Sequence, residues 1–576
     1  MRAHRFFLLA CAVALAGLLQ TGAIAARLHY PLPPDSTARN GEPGTMGAHV
    51  NGFNKPAPPT VQTRKGMHPK AALGLQRRYS GTPIDVLNYH NDNFRTGWNQ
   101  SETDLTPATV ASASFGQIAS LDVDGDVLAE PLMVSNFTMP DNSVHNILVV
   151  ATEHNSVYAF DAQTYAILWH VNLGPSQSSV DVNCSDVSPE YGISGTPVIV
   201  RGGSNAATVY LVSATEPASM SFHTKLYALS LANGSNVVKP MEIAPRANLQ
   251  SGGQVHFDPQ SQWIRSGIAY ANGSVYMGVA SHCDNNSGNI TGWILRYDAS
   301  TLRLLGRFPT VYTQADLELA SIWMAGFAPP IDANGNVFAV TGNGYYSAVN
   351  TAKGYGESVL SLSSALKKNS TFTPANFQAL NDADRDFGSG AVMLIPPVVG
   401  QQAPPLAVAM GKAHILYLLN SSNLGGLEKA GKTPLQQYAL ASSWCACGPA
   451  YYTGPNGGLV YYQAASDVLR AFSVSTAKHP SLTDVADGTT FAGGGGSFPV
   501  VSSNGSAAGT GVVWLVRRAQ PEALEAYDAI NLGAPLFAGN ADLWSNGYNA
   551  FVTPLVANGR VYVGAYKKVD VFGLTD

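Results

Sequence analysis

The sequence predicts an all-β fold, an eight-bladed β-propeller of four-stranded antiparallel blades. Three observations point there. First, the composition is turn-rich and weakly charged: 57 Gly and 35 Pro in 576 residues, with only 12% charged. Such a chain is a poor coiled coil or helix bundle and a good all-β protein. Second, a pair of strand-like segments recurs along the chain at intervals that suit a propeller blade. Third, the last unit ends after its third strand, and a segment near the front of the repeats, FGQIASLDVDG (Phe115–Gly125), is suited to supply the missing outer strand. Seven blades is the alternative count.

Taken in chain order, residues 1–26 come first. A basic start (MRAHR), an apolar run and the ending Ala23-Ile24-Ala25 match a cleaved secretory signal. The run is short for a membrane anchor. No other stretch reads as a span, so the mature chain is expected to be secreted or periplasmic. Residues 27–84 are rich in Pro, Gly and Asn and read as a flexible linker. Order is expected from near Tyr89, and residues 85–576 read as one propeller domain.

The repeats follow. Val-rich second strands begin at residues 147, 209, 275, 337, 406, 459, 512 and 561. Each precedes a third strand such as VYAFDA (157), LYALSL (226), ILRYDA (294), VLSLSS (359), LYLLNS (416), VLRAFS (468), LEAYDA (524) or VDVFGL (569). Asn233-Gly234, Asn272-Gly273, Asn334-Gly335 and Asn558-Gly559 fall between strands, as hairpins with left-handed turn residues require. One four-stranded sheet cannot cover both of its faces, so the blades must stack around an axis.

Charge and cysteines narrow the function. A net charge of -5 with no Lys/Arg block argues against nucleic-acid binding. In an exported chain, Cys184, Cys283, Cys445 and Cys447 are expected to form at least one disulfide. Two pairings stand open: Cys184 with Cys283, or Cys445 with Cys447 beside two free thiols. Gly426-LEKA-Gly431-Lys432-Thr433 matches the phosphate-loop letters but lies among propeller strands, with Pro434 next. Asp122-Val-Asp124-Gly-Asp126 has its Gly too early for a calcium loop and reads as a hairpin turn.

The first unit, EPLMV followed by ILVVATEHNSVYAFDAQTYAILWHVNLG, resembles the repeats of the quinoprotein (pyrroloquinoline quinone-dependent) alcohol dehydrogenases. These are eight-bladed propellers that hold a flat tricarboxylate quinone and a Ca²⁺ ion. The resemblance covers about residues 85–576. It implies an oxidoreductase acting on an alcohol or sugar with an external electron acceptor. VYMGVASHCDNNSG puts Asp284 at the family's metal-binding Glu, and VTGNGYY puts Asn343 at its metal-binding Asn. Trp323, in SIWMAGF, falls near the Trp that floors the quinone. Lys412, in GKAHILYLLN, falls at the cation that touches the reacting carbonyl. NDADRDFGSG resembles the segment of the catalytic Asp. The ungapped match sets Ala383 at the base, so Asp384, Asp386 or Asp382 must serve.

Some positions depart from the family. Cys184-Ser185 replaces a pair of adjacent cysteines, Glu190 stands near a carboxylate-clamping Arg, and Tyr165 replaces a repeat Gly. No Cys-x-x-Cys-His is present for covalent haem. Each candidate also has a structural alternative. Asp284 and Asn343 suit turns, Trp323 can pack between blades, and Lys412 and the 382–386 segment can be solvated loop. The other function class is a non-catalytic propeller scaffold that binds protein or cell-envelope partners. The two readings differ in one respect: the enzyme needs its site residues to converge on one face.

Overall fold

The computed structural model describes residues 79–250, 252–285, 288–312, 319–347, 354–440, 445–518, 522–540 and 551–575. The expected signal and most of the expected linker lie outside these residues. Within them, eight sheets of four or five strands form the blades of a propeller. Blade 1 covers residues 132–172, blade 2 198–242, blade 3 262–309, blade 4 331–373, blade 5 392–439, blade 6 450–491 and blade 7 500–540. Blade 8 joins 555–574 to Phe115–Asp122. That early strand pairs antiparallel with Lys568–Leu574, from Phe115↔Leu574 to Asp122↔Lys568, and closes the ring as the outer strand of the last blade. The eight-blade count is the one the sequence favours. Among the described residues no helix is long and apolar enough to cross a membrane.

The eight Val-rich segments are the second strands and the eight segments after them the third strands. Second strands are continuous apolar runs because neighbouring blades cover both faces. Ser274–Ser281 and Leu406–Met410 are buried at every position. Outer strands face solvent and alternate, as Ser481–Phe491 does. The Asp that ends several third strands stops them. Asp161 Oδ1 accepts from the amides of Gln163 and Thr164, and Asp298 Oδ1 from those of Ser300 and Thr301. Tyr165 and Leu302 then take the left-handed position (φ 62° and 55°) where a Gly is expected. Both residues of Asn272-Gly273 and of Asn558-Gly559 are left-handed, as a type I′ hairpin needs.

Ordered packing begins earlier than Tyr89. The Tyr79 hydroxyl donates to Ser101 O and the Ser80 amide to Asp104 Oδ2. Residues 84–101 then run around the inner edge of the ring as a strap that hydrogen-bonds every blade in turn. The Ile84 amide reaches Asn558 Oδ1 in blade 8, and Val86 exchanges two amide bonds with Met133 in blade 1. Leu87 O meets the Ile199 amide in blade 2, and Asn93 Nδ2 the Tyr270 carbonyl in blade 3. Asn93 O, Phe94 O, Thr96 O and Gly97 O accept from Ile331, Leu394, Tyr451 and Val501 in blades 4 to 7. Asn99 Nδ2 finally donates to Val556 O, back in blade 8.

Several strap side chains are buried, Arg95, Tyr89 and His90 among them. Arg95, 0% exposed, donates to the carbonyls of Ala328, Pro329, Tyr89 and Asp92 and to Asn88 Oδ1. Tyr89 and His90 stack on each other and pack edge-on against Phe327. Glu130, which leads into blade 1, accepts the His90 amide, and burial pushes its carboxyl up to about 8.

Two predictions follow from the strap. Arg95→Met strands the carbonyls it joins and should cost about 3–5 kcal/mol in urea unfolding. Glu130 binds its proton more tightly in the folded chain than in the unfolded one. Between pH about 5 and 8 the native state therefore holds the extra proton, and stability falls as pH rises. Glu130→Gln should flatten that fall in melting curves recorded across the window.

Candidate active site

Antiparallel four-stranded blades put two kinds of connection on one face of the ring. These are the turns between second and third strands and the links from one blade to the next. Asp284, Asn343 and Lys412 follow the second strands of blades 3, 4 and 5. Asp384 and Asp386 lie on the link from blade 4 to blade 5, and Trp323 on the link from blade 3 to blade 4. The topology thus delivers all six to the same face, where Asn343, Asp384, Asp386 and Lys412 are bonded to one another and Asp284 lies within reach of the Asp386 charge.

Lys412 Nζ sits 2.6 Å from Asp386 Oδ2 and 3.5 Å from Asp384 Oδ1. Asp386 Oδ1 accepts the Asn343 amide at 2.7 Å, and Asp384 Oδ1 accepts Asn343 Nδ2 at 2.6 Å. That bond fixes which way the Asn343 amide points and leaves its buried Oδ1 without a hydrogen-bond partner. Asp284 Oδ1 accepts the Ser281 hydroxyl, which Ser321 Oγ in turn reaches at 3.1 Å. Gly342 lies between Trp323 and Asp386. A Cβ there would come 2.5 Å from Asp386 Oδ1 and 3.4 Å from Trp323 Cδ1. Trp323 packs edge-on to Trp263 at 6.4 Å.

The charges do not cancel: three carboxylates face one ammonium. Burial first, and the Asp386 charge second, push Asp284 up to about 7. The same two causes, in the same order, raise Asp384 and hold the buried Glu357 well above the usual carboxylate range. Burial works against the Lys412 ammonium, but Asp386 and Asp384 outweigh it and raise Lys412 overall. The two link carboxylates differ in access. Asp386 is 8% exposed and bonded at both oxygens, whereas Asp384 is 71% exposed with only Oδ1 engaged. Asp382 stays on the short helix Phe377–Asp382 and accepts from Gln378 instead.

A second set of groups on this face has no motif that sequence reasoning could find. Arg265 lies between the two short first-strand pieces of blade 3, Gln262–Trp263 and Ala269–Ala271, and Arg518 in the second-to-third-strand turn of blade 7; both are buried. Glu357 escaped notice for the same reason, as a single residue of a Gly-rich turn. Glu190 turns its carboxylate to His154 Nδ1 at 3.0 Å and to the Ser176 hydroxyl. Both disulfides form, Cys184–Cys283 and Cys445–Cys447, so neither pairing excludes the other. Cys184–Cys283 ties the link into blade 2 to the residue beside Asp284. Gly426–Leu427 adds a short parallel strand to blade 4, as no phosphate loop would.

No protein-family model matches the sequence, and no characterised protein sequence matches it. Solved structures do match. The quinohemoprotein alcohol dehydrogenase of Comamonas testosteroni is 16% identical with a TM-score of 0.52, over 85% of this chain and 80% of that one. A quinohemoprotein alcohol dehydrogenase of Pseudomonas putida is 13% identical with a TM-score of 0.53, again over 85% and 80%. A europium-containing methanol dehydrogenase is 13% identical with a TM-score of 0.56, over 86% and 98%. At these identities the likeness is one of fold.

Lys412→Met leaves Asp386 buried without its cation and should cost about 3 kcal/mol in chemical unfolding. Adding Asp386→Asn should return most of that loss, so the double-mutant cycle reads the coupling directly.

Proposed function

We propose that the chain is an exported quinoprotein oxidoreductase that takes two electrons from an alcohol or sugar and passes them to an external acceptor. The observation that carries this reading is the convergence of Asp284, Asn343, Asp384, Asp386 and Lys412 beside Trp323, with the Asn343 Oδ1 acceptor buried and unpartnered. An all-oxygen, net-negative donor set suits a hard cation: Ca²⁺, or a trivalent lanthanide such as the europium of the methanol dehydrogenase neighbour. The fold likeness to dehydrogenases supports the same reading.

The residues fit the groups this reading requires. Asp284 and Asn343 would hold the cation, with Asp384 within reach. Trp323, half-buried beside Gly342, offers a flat face to a planar ring. Bound there, pyrroloquinoline quinone supplies a two-electron acceptor that no side chain can replace. Asp384 is the better base of the two link carboxylates. Its Oδ2 is open to solvent and its proton affinity is raised, so it can take the proton of a substrate hydroxyl. Asp386 is committed to Lys412 and the Asn343 amide, and it orients the Lys412 ammonium towards developing negative charge. No haem-attachment motif is present in the sequence, so the acceptor would be a separate molecule.

Calorimetry on the chain without its leader tests this. With Ca²⁺ present, pyrroloquinoline quinone should saturate near one per chain, and Asp284→Ala should abolish the Ca²⁺ dependence. Asp384→Asn should leave quinone binding in place and lower kcat for dye-linked alcohol oxidation by about 10²–10⁴-fold. If the quinone does not bind at high micromolar concentration, the reading falls and the scaffold function takes its place.

A further inference from the structure

Among the described residues, the least satisfied buried side chain, Arg518, lies with Arg265 on the same face as the acid cluster. Arg518 is 6% exposed, and its Nε, Nη1 and Nη2 are all buried without a hydrogen-bond partner. Arg265 is 2% exposed, and its Nη2 is in the same condition. The two guanidinium groups flank a single ring. The Arg265 Cζ lies 4.3 Å and the Arg518 Cζ 5.1 Å from the centre of Phe551. Burial, and in Arg518 also the like charge of Arg265, lower their proton affinities. The groups facing them do not cancel this arrangement. Glu153 and Asp186 act on Arg265 and Glu522 acts on Arg518 through their charges, yet Arg265 Nη2 and all three Arg518 guanidinium nitrogens remain without a hydrogen-bond partner. Glu153 is itself pushed up to about 7 by burial, and its Oε2 is taken by the Gly192 amide and the Ser194 hydroxyl.

Folded proteins rarely leave buried donors unmade, and charged donors least of all. A pair of like charges held together with open donors is the arrangement an anion completes, and planar guanidinium forks match carboxylates. The local backbone holds the guanidinium closely: Gly495 is left-handed (φ 83°), and a Cβ there would come 2.6 Å from Arg518 Nη2. Trp323 and Trp263 connect this end to the acid cluster. Arg265 lies 5.7 Å over Trp263, which packs against Trp323.

We infer that Arg265 and Arg518 form the carboxylate-binding end of the axial site, receiving an organic anion whose other end faces Asp284, Asn343 and Lys412. This takes over the role that Glu190 cannot fill, and it rests on the reading above where the anion is the quinone, a tricarboxylate. A free polycarboxylate is the other source of the same chemistry.

The test uses the chain without its leader and two probes, pyrroloquinoline quinone with Ca²⁺ and benzene-1,3,5-tricarboxylate, followed by calorimetry. Arg518→Gln should weaken both probes at least tenfold, and Arg518→Lys should recover part of the loss. Asp284→Ala should weaken only the quinone. Without ligand, Arg518→Gln should melt no lower than the parent chain, because a buried unpaired charge has gone. Equal quinone binding by Arg518→Gln and the parent overturns the inference and leaves the quinoprotein reading standing. Tricarboxylate binding that Arg518→Gln loses, with no quinone binding by the parent, overturns that reading and keeps the anion site. If neither probe binds the parent, both fall. If Arg518→Gln melts far below the parent with binding unchanged, Arg518 is structural and the inference falls.

Discussion

Ring closure is the constraint on which the rest of this structure depends. Each blade is stable only when neighbours cover both its faces, so the circle must be completed and kept at one radius. Two devices from the start of the described chain do this. Phe115–Asp122 supplies the outer strand of blade 8, pairing residues far apart in sequence. The strap of residues 84–101 satisfies the inner edges that eight innermost strands would otherwise expose towards the axis. Arg95, donating to four carbonyls and one amide oxygen, pins the strap to itself and to the link before blade 4. Because that link also carries Trp323, the geometry of the site inherits the precision of the closure.

The repeats were readable because blade stacking imposes them residue by residue. A second strand covered on both faces must be apolar throughout, and a third strand that ends in a tight turn wants Asp. VYAFDA, ILRYDA and LEAYDA therefore announce the same structural position. The strap was not readable in this way. Its bonds go to eight different blades at irregular intervals, so residues 84–101 show no period, and their start resembles linker. The site was partly readable. Asp284, Asn343, Lys412 and the 382–386 segment could be located by resemblance, but the choice between Asp384 and Asp386 depends on exposure and on who already holds each oxygen. Arg265 and Arg518 had no signal in the sequence: each is a single Arg, and only the folded ring sets them about one phenyl group.

The site is also electrically lopsided. At one end three carboxylates face one ammonium; at the other, Arg518 and one nitrogen of Arg265 are buried without acceptors. Each excess is costly alone, since buried like charges raise one another's energy. On the proposed reading, a cation at one end and ligand carboxylates at the other would offset both. The departures at Ser185 and Glu190 fit this view. Glu190 is bonded to His154 and Ser176 and so is not an unpaired charge. The bridge from Cys184 goes to Cys283, next to Asp284, in place of an adjacent cysteine.

Backbone strain marks the same places. Left-handed φ is uncommon in residues other than Gly, and it persists where the surroundings over-determine it. Here it is found at Cys283 (48°) and Asp284 (54°), at Met324 (47°) and Ala325 (50°) beside Trp323, at Glu357 (51°) and at Asp384 (52°). Hairpin turns account for Asn272 and Asn558, but none accounts for this set, which lies on links and turns of one face. Fixing Cys283 by a disulfide, Asp384 by Asn343, Glu357 by the Phe387 amide it accepts and Trp323 through the strap-bound link gives each strained segment a separate restraint. A scaffold surface gains nothing from carboxylates held at such conformations or from a Trp held beside them. A site that must present them in fixed positions to one small ligand does, and this asymmetry favours a binding or catalytic role for that face over a purely structural one.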